Sequence, residues 1–538
     1  MHAERPVAEV NHGETSALPG RFLDGAPDAQ TPFRMRYAVW LLWASLVPLA
    51  YFTLRLVLFA RTWPVVHDAA IMHYVVFMIG SGRAPYTGMV EMNLPGALMS
   101  EWFGMHVLGG NAAGLWRWDT TMGLLALAGG AWIAGRGRRL MGMAGVLFTW
   151  TIHLNDAAFD FAEREWLIAA LWLLAIACAA EAIERREPRW MFGCLALTGW
   201  CCTIKPFEVL LPLALLVFVL RQLRPQWRGV LLWSALGVVP PVLAVVLYFA
   251  HWPGAFSAFL HTERTLGAWY GVLGRAKWYR MLFSALLSPA RAALVLVIYM
   301  FVRMRGWLRC REALLAIGTV CGLLTYFAQR KSYPYHVYPF LVCAAVLGFV
   351  LAYRALAKLW PVQGLRGRDV QLAAVLFVLL CAFRMPWKFW HNHEKATYPY
   401  GTQQALIADL KSLGGHALSG HIQCMDMTLG GCIGAEYDLR LVQTTGFVND
   451  YMLFPYPQSA SPVLVEYQQR FLREMAANPP RVIVLTAHNW PNQDDRQFTK
   501  LGRWPEFGAW LAANYRLERT HLATTTQHTA SYQIYERR

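Results

Sequence analysis

Long apolar runs alternate with short polar segments through the first 385 residues of the chain. A helix that crosses a bilayer needs about 20 mostly apolar residues, and eleven runs approach this length. The runs at 140–152 and 190–203 are short, so they could extend into flanking residues or be partly re-entrant. The predicted spans lie near 37–60, 113–134, 140–152, 166–183, 190–203, 207–220, 229–250, 281–302, 313–328, 337–353 and 370–385.

The first long polar segment, residues 61–112, carries two further helical patterns. Residues 69–79 are apolar apart from His73 and Tyr74, which predicts an amphipathic helix lying in the membrane interface. The run 97–110 is also amphipathic, and it could lie in the interface or pack as a partial span.

The pattern changes near residue 386. Helical patterns at 401–415, 461–477 and 505–515 then alternate with strand-like runs at 481–487 and 530–537. Helices between short strands predict a small α/β domain. The fold class is therefore an α-helical polytopic membrane protein with a C-terminal α/β domain. We expect a disordered cytoplasmic tail at 1–36, a membrane module at 37–385 and the outside domain at 386–538.

Composition agrees with a chain that is mostly solvated by lipid. Hydrophobic residues make up 56% of it and charged residues only 15%, against about 25% charged residues in soluble proteins. The same figures exclude a disordered, collagen-like or coiled-coil protein.

The formal charge is +16, and the distribution of this charge along the chain predicts the membrane topology. With the N-terminus inside, the short inside loops hold 17 Lys and Arg in 45 residues, and the outside loops hold 10 in 106. This asymmetry follows the positive-inside rule and places the C-terminal domain outside. Because the excess charge is explained by topology, it is not the footprint of a nucleic-acid partner.

Eight of the ten cysteines lie in or beside apolar runs, where they act as small packing residues. Cys424 and Cys432 lie in the outside domain and could form a disulfide or remain free thiols. No CxxC pair occurs, so a zinc ribbon or a thioredoxin-like site is unsupported.

Polar residues at membrane depth are costly and are functional candidates by default. Asp68 follows the first span and precedes the predicted helix at 69–79. It could cap that helix, or it could act as a general base at the membrane surface.

The second outside loop reads NDAAFDFAEREW and holds five charged residues beside an apolar helix. They are Asp156, Asp160, Glu163, Arg164 and Glu165. These groups could bind a divalent metal or neutralise one another in an interfacial network.

Cations in the outside turns oppose the positive-inside rule. Lys205 could pair with Glu208 or bind an anion, and Arg330, Lys331 and His336 share the turn at 329–336. A further group of four cations in 251–280 is better explained by lipid headgroups. Cations suit a lipid-linked phosphate and a carboxylate suits deprotonation of an acceptor hydroxyl, which is the chemistry of transfer from a polyprenyl-phosphate sugar.

In the order of these segments the chain resembles the bacterial integral-membrane glycosyltransferases of the GT-C superfamily, related to protein mannosyltransferases and aminoarabinose transferases. One departure concerns the lysine that aminoarabinose transferases place before a Pro-Pro turn, where this chain has Asn93-Leu94-Pro95. Either another cation covers the phosphate, or the donor geometry differs. The segments that carry the resemblance are Asp68, Pro85-Tyr86, Asn93 to Gly96, Trp116 to Asp119, Glu163 to Trp166, Lys205 to Phe207 and Gln329 to His336.

The resemblance implies an inverting transfer of a single sugar on the periplasmic face of the bacterial inner membrane. Asp68 would be the catalytic base, with Glu163, Glu165 and Asp156 as supporting carboxylates. The phosphate of the polyprenyl-phosphate donor would be bound by a set of cationic residues. That set is Lys205, Arg330, Lys331, His336 and Arg164.

The sequence leaves the sugar and the acceptor open. The acceptor could be a glycan, a lipid or a protein, and no cofactor is certain beyond a candidate divalent metal. Two other functions are an oligosaccharide ligase with a polyprenyl-diphosphate donor, and a flippase or transporter for a lipid or polysaccharide. The clustering of polar residues on one side favours a one-sided enzyme over a transporter.

Overall fold

The computed structural model describes most of the chain. The predicted tail falls almost wholly outside the described residues. So does the segment His391-Asn392-His393-Glu394, which looks like a metal site in sequence but is better explained as an interfacial boundary after the last span. The described residues are 33–284, 288–358, 365–384, 386–387, 400–426, 431–455, 460–489, 492–494, 497–523 and 531–538.

Helices fill the described part of the chain up to residue 384, and an apolar helix lies at each predicted span. They are α1 (Phe33–Ala60), α2 (His67–Gly80), α3 (Pro95–Leu108), α4 (Ala112–Ala134), α5 (Arg139–His153), α6 (Arg164–Arg185), α7 (Trp190–Ile204), α8 (Leu210–Gln222), α9 (Trp227–His251), α10 (Ala255–Thr262), α11 (Ala268–Val272), α12 (Trp278–Ser284), α13 (Ser288–Arg303), α14 (Cys310–Gln329), α15 (Tyr338–Lys358) and α16 (Leu365–Leu379).

Five of these segments are long and apolar enough to cross a membrane, as judged by length and composition. The chain is therefore a multi-pass membrane protein, and the other six spans remain predictions. The five segments are Leu42–Ala60, Arg164–Arg185, Arg224–His251, Cys310–Gln329 and Pro334–Ala357.

Helix α6 lies at the centre of the bundle, between α4, α7, α14 and α15. It is buried over 94% of its apolar window, and Trp166 and Trp172 are fully covered. Alanines fill much of its remaining surface, and small residues let neighbouring helices approach closely. The two ends of α6 therefore sit in fixed positions about 33 Å apart, at 1.5 Å per residue.

A buried ion network lies at the C-terminal end of α6. Arg311 of α14 contacts Glu181 at 2.8 Å and Glu184 at 2.6 Å. Beside it, Glu312 pairs with Arg138 at 2.5 Å and with Arg354 at 3.1 Å. Because these charges neutralise one another, this end of the bundle is held together by its own contacts.

Helix α2 forms where the sequence predicts a helix, but protein covers it where we expected lipid. His73 contacts Glu101 of α3 at 2.5 Å. The Tyr74 hydroxyl donates to the Leu441 carbonyl and accepts from the Gln443 backbone N–H, each at 3.0 Å. The C-terminal part of the chain thus packs directly on the helix that begins beside Asp68.

The C-terminal part combines helices with a mixed sheet. Of the six strands among the described residues, two match the predicted runs at 481–487 and 530–537, and the other four were missed. The helices are α17 (Tyr400–Ser412), α18 (Cys432–Leu439), α19 (Leu464–Ala477) and α20 (Pro505–Asn514). The strands are β1 (Ile422–Met425), β2 (Val482–Thr486), β3 (His488–Asn489), β4 (Asn492–Asp494), β5 (Tyr515–His521) and β6 (Tyr532–Arg537).

The four longer strands form one sheet in the order β1-β2-β6-β5. Strands β1 and β2 run parallel, whereas β6 is antiparallel to both β2 and β5. The central strand β2 is buried along its whole length, as expected for a run of Val, Ile and Leu with cover on both faces. The α/β architecture predicted for this part is confirmed.

Cys424 at the end of β1 and Cys432 at the start of α18 form a disulfide, with 6.2 Å between their Cα atoms. Both are buried, and the Cys432 backbone N–H donates to Asp426 at 2.9 Å. The eight other cysteines are free. The sequence had left this pairing open.

We expect the denatured, unreduced protein to show eight reactive thiols, rising to ten after reduction. Closing a loop of this length should stabilise the fold by about 2 to 3 kcal/mol. Thiol counting with a chromogenic reagent checks the pairing, and Cys202→Ser should lower both counts by one without changing their difference. Ten thiols before reduction would exclude the disulfide.

Candidate active site

Asp68 lies in the first turn of α2, next to the end of α1. Its Oδ2 accepts a hydrogen bond from the Tyr335 hydroxyl at 3.2 Å, and its Oδ1 lies 3.8 Å from Nδ1 of His67. His67 adopts a left-handed conformation with φ of 53°, which is unusual for a residue with a Cβ and is typical of functional sites. The turn presents Asp68 with its carboxylate 24% exposed, so solute can reach it.

The N-terminus of α6 brings three charged residues beside Asp68. Glu163 precedes the helix, Arg164 begins it and Glu165 follows in its first turn. The positive end of the helix dipole favours carboxylates there. Both glutamates are buried, so their charges act at short range.

Arg164 reaches back to the first loop. Its Nη1 donates to the Asn93 side-chain oxygen. Asn93 is held in place by Glu91, which accepts from the Asn93 backbone N–H and side-chain amide, each at 2.6 Å. The position where relatives of the resembled family carry lysine is thus next to an arginine from another loop.

Lys205 follows α7 and joins the same cluster. Its Nζ donates to Glu165 and lies 3.5 Å from the side-chain oxygen of Gln329. His336 places Nε2 at 3.2 Å from the same Glu165 oxygen. Lys205 also lies over the Tyr335 ring, 5.9 Å from its centroid. One carboxylate thus holds a lysine and a histidine from separate turns.

Arg330 and Lys331 lie at the edge of this cluster, in the turn after α14. The Lys331 ammonium donates to the backbone carbonyls of Tyr270 and Leu273 and lies 4.1 Å from the Tyr270 ring centroid. Arg330 is exposed, and its carbonyl accepts from Ala276 at 2.8 Å. In this structure both residues hold the loop after α11, and their roles in phosphate binding remain predictions.

The remaining candidate carboxylates lie on the loop before α6. The side chain of Asp156 is outside the described part of the structure, whereas Asp160 is fully buried. Tyr335 and Gln329 are functional candidates that sequence reasoning assigned no role. The sequence feature that could have identified them is their position, since both flank the cations in the turn at 329–336.

The surroundings of Asp68 and Glu163 shift the pKa values of the two carboxyls in opposite directions. Burial raises the pKa of the Asp68 carboxyl, but the charges of His67, Arg164 and Lys205 and the hydrogen bond from Tyr335 together outweigh burial and hold the pKa below its usual value. Burial, reinforced by the charge of Asp68, raises the pKa of Glu163 well above its usual range. At neutral pH Asp68 is therefore an ionised carboxylate that can accept a proton or bind a cation.

His67, Asp68 and Glu163 could together hold a metal ion. One ligand atom from each lies within 4.8 Å of the others. An imidazole with two carboxylates suits Zn²⁺ or Mn²⁺. The charge of Asp68 helps to raise the pKa of Glu163, and a bound cation would offset that repulsion.

Solved structures similar to this chain include three crystal structures that each cover about nine tenths of it. ArnT from Cupriavidus metallidurans in the apo state matches with a TM-score of 0.54 and 15% identity, over 91% of this chain and 97% of ArnT. The same protein bound to undecaprenyl phosphate matches with a TM-score of 0.53 and 14% identity, over 93% and 98%. An Archaeoglobus fulgidus oligosaccharyltransferase in complex with Zn and sulfate matches with a TM-score of 0.52 and 11% identity, over 90% and 73%.

These similarities define the class of protein: the chain has the GT-C fold of integral-membrane proteins. The fold predicted from the sequence resemblance is thereby confirmed. No family model and no curated protein matches the sequence.

Proposed function

We propose that the protein is an inverting glycosyltransferase that moves a sugar from a polyprenyl-phosphate donor to an acceptor hydroxyl. The observation that carries the proposal is the placement of ionised Asp68 beside the half-buried cations Arg164 and Lys205, with Tyr335 next to both Asp68 and Lys205. The GT-C fold supports it, since ArnT with this fold binds undecaprenyl phosphate. A base and an anion site at close range are the two parts that the reaction needs.

The reaction begins when Asp68 accepts the proton of the acceptor hydroxyl. The acceptor oxygen then bonds to the anomeric carbon as the bond from that carbon to the phosphate oxygen breaks. The electron pair of that bond leaves with polyprenyl phosphate, and the attack from the opposite face inverts the anomeric configuration. Lys205 and Arg164 stabilise the charge that develops on the departing phosphate.

The buried glutamates position these cations. Glu165 contacts Lys205 and His336, so it fixes both groups relative to Asp68. The charges of Asp68 and Arg164 act on Glu163 in opposite directions. A sugar hydroxyl could bind at Glu163. Arg330 and Lys331 would meet the phosphate at the edge of the cluster if the loop after α11 released Lys331.

A divalent cation is the candidate cofactor, held by His67, Asp68 and Glu163. Bound there, it would supply positive charge close to the reacting oxygens. The oligosaccharyltransferase of the same fold is in complex with Zn. Among the residues that the structure describes, the candidate ligands are His67, Asp68 and Glu163, and every step above is carried by side chains.

We expect the purified protein to bind Zn²⁺ or Mn²⁺, and His67→Ala and Glu163→Gln each to weaken binding by at least about tenfold, because each removes one ligand. Competition with a chromogenic chelator measures the affinity without any transfer reaction. The exposed His106 provides the control His106→Ala. Equal affinities in all four proteins would show that these residues hold no cation.

Transfer by the purified protein from a panel of polyprenyl-phosphate sugars tests the function, with and without chelator. Single-sugar transfer with inversion supports the proposal. Transfer only from a polyprenyl-diphosphate oligosaccharide would identify a ligase. Movement of lipid across vesicles without any new glycosidic bond would identify a flippase.

The proposed function also implies a cellular location for the protein. We propose that the active site and the C-terminal domain face the periplasm from the bacterial inner membrane. The C-terminal domain would then bind the glycan, lipid or protein acceptor or cover the cavity. Membrane lipid surrounds the helices, and a nucleic-acid partner is not part of this function.

A further inference from the structure

Glu208 is a buried carboxylate that the proposed reaction does not use. It lies on the single helical turn Pro206–Val209 between α7 and α8. Its side chain is 1% exposed, and neither oxygen makes a hydrogen bond with any residue that the structure describes. Burying a polar group without such a bond is costly, so this carboxylate needs an explanation.

The charged groups that face Glu208 belong to the donor site. Lys205, three residues earlier, and Glu165 of α6 both act on its charge. The thiols of Cys201 and Cys202 on α7 and of Cys321 on α14 also lie close enough to interact with it. Among these groups Lys205 is the cation, and it lies near two carboxylates, Glu165 and Glu208.

The balance of charge around Lys205 depends on Glu208. Glu165 already pairs with the Lys205 ammonium, so an ionised Glu208 would give the turn a net negative charge. Burial raises the pKa of Glu208 to about 8, the charge of Lys205 lowers it and that of Glu165 raises it. Near neutral pH Glu208 is therefore protonated, and the turn is not negative.

We propose that Glu208 is a positioning residue that sets how strongly Lys205 attracts the donor phosphate. Neutral Glu208 leaves the third N–H of Lys205 to the phosphate, because Glu165 and Gln329 occupy the other two. Ionised Glu208 draws the ammonium toward itself and repels the incoming anion. The inference rests on the proposed function, and it adds a determinant of donor affinity outside the set of groups that touch the donor.

The test compares the donor KM of the wild type and of Glu208→Gln between pH 6 and pH 9.5. We expect the wild-type KM to rise about tenfold above pH 8, the size of a coupling of one pKa unit. Glu208→Gln should lack this part of the rise, with kcat unchanged at pH 7. Lys331 also loses its charge near pH 8, but it does so in both proteins, so the difference between them isolates Glu208. Parallel KM profiles would overturn the proposal.

Two further measurements keep the test decisive. Glu208→Met has a similar volume and gives the same comparison if the glutamine variant fails to fold, and exposed Glu466 provides the control Glu466→Gln. The infrared band of a protonated carboxylic acid should be weaker in Glu208→Gln than in the wild type at pH 7, and the difference should vanish above pH 9. The infrared readout needs no transfer reaction, so it separates the two proposals. A wild type without transfer activity would contradict the proposed function. Equal spectra of the wild type and Glu208→Gln at pH 7 would contradict the role of Glu208.

Discussion

Asp68→Asn is expected to lower kcat about 10³-fold, with little change in the donor KM. Asparagine keeps the size of the side chain but cannot accept the acceptor proton, and general-base catalysis contributes about 10² to 10⁴ in rate. Initial rates of transfer from a polyprenyl-phosphate sugar, measured at saturating donor, give the effect.

Asp369→Asn is the matched control, because Asp369 pairs with Arg303 at 2.9 Å in an exposed position on α16. Its kcat should stay within about twofold of the wild type, since exposed ion pairs contribute little. If Asp68→Asn transferred sugar at the wild-type rate, another group would be the base, and the binding of Zn²⁺ by that variant would then show whether Asp68 is a ligand only.

Lys205→Met should raise the donor KM about 100-fold and destabilise the protein by about 3 to 5 kcal/mol. Methionine removes the cation that faces the phosphate, and it leaves the fully buried Glu165 without its ammonium partner. Breaking a buried ion pair from one side has a cost of this size. Steady-state kinetics and thermal unfolding in the same detergent measure the two effects separately.

The double variant Lys205→Met with Glu165→Gln separates stability from binding. Removing both charges should recover most of the unfolding temperature, because no lone buried charge remains, while the donor KM stays high. Lys277→Met, at an exposed position on the outer surface, is the control and should change neither quantity. A normal KM in Lys205→Met would remove this lysine from the donor site.

Local sequence context was sufficient to single out charged residues that the structure brings together around Asp68 and Glu165. Asp68, Arg164, Lys205 and His336 each stand next to an apolar run, and a charge there needs a reason in a membrane protein. The chain order of these runs also predicted the GT-C fold. These signals depend on one residue and its neighbours, which a sequence displays directly.

Contacts between distant segments could not be predicted. Arg164 meets Asn93 across 71 positions, and nothing in either segment names the other. Lys205 and Lys331 look alike in sequence, since each is a cation in an outside turn. The structure directs one to Glu165 and the other to two backbone carbonyls.

Strand prediction failed where the pattern was weak. Strand β1 has four residues, too few to show alternation, and all four are buried. Strand β5 reads YRLERTH and is largely exposed, so its polar residues hide it. By contrast, β2 is a continuous apolar run and was predicted within one residue at each end.

The contacts between α2 and the C-terminal part of the chain can form only late in the synthesis of the protein. Tyr74 and its partner Leu441 are 367 residues apart. At a synthesis rate of about 5 to 20 residues per second, roughly 20 to 70 s pass between them. The helix that carries Asp68 is therefore synthesised well before the residues that hold it in place. The proposed active site of a ribosome-bound chain thus stays incomplete until residue 441 has been made, and we expect the growing chain not to act on the lipids around it.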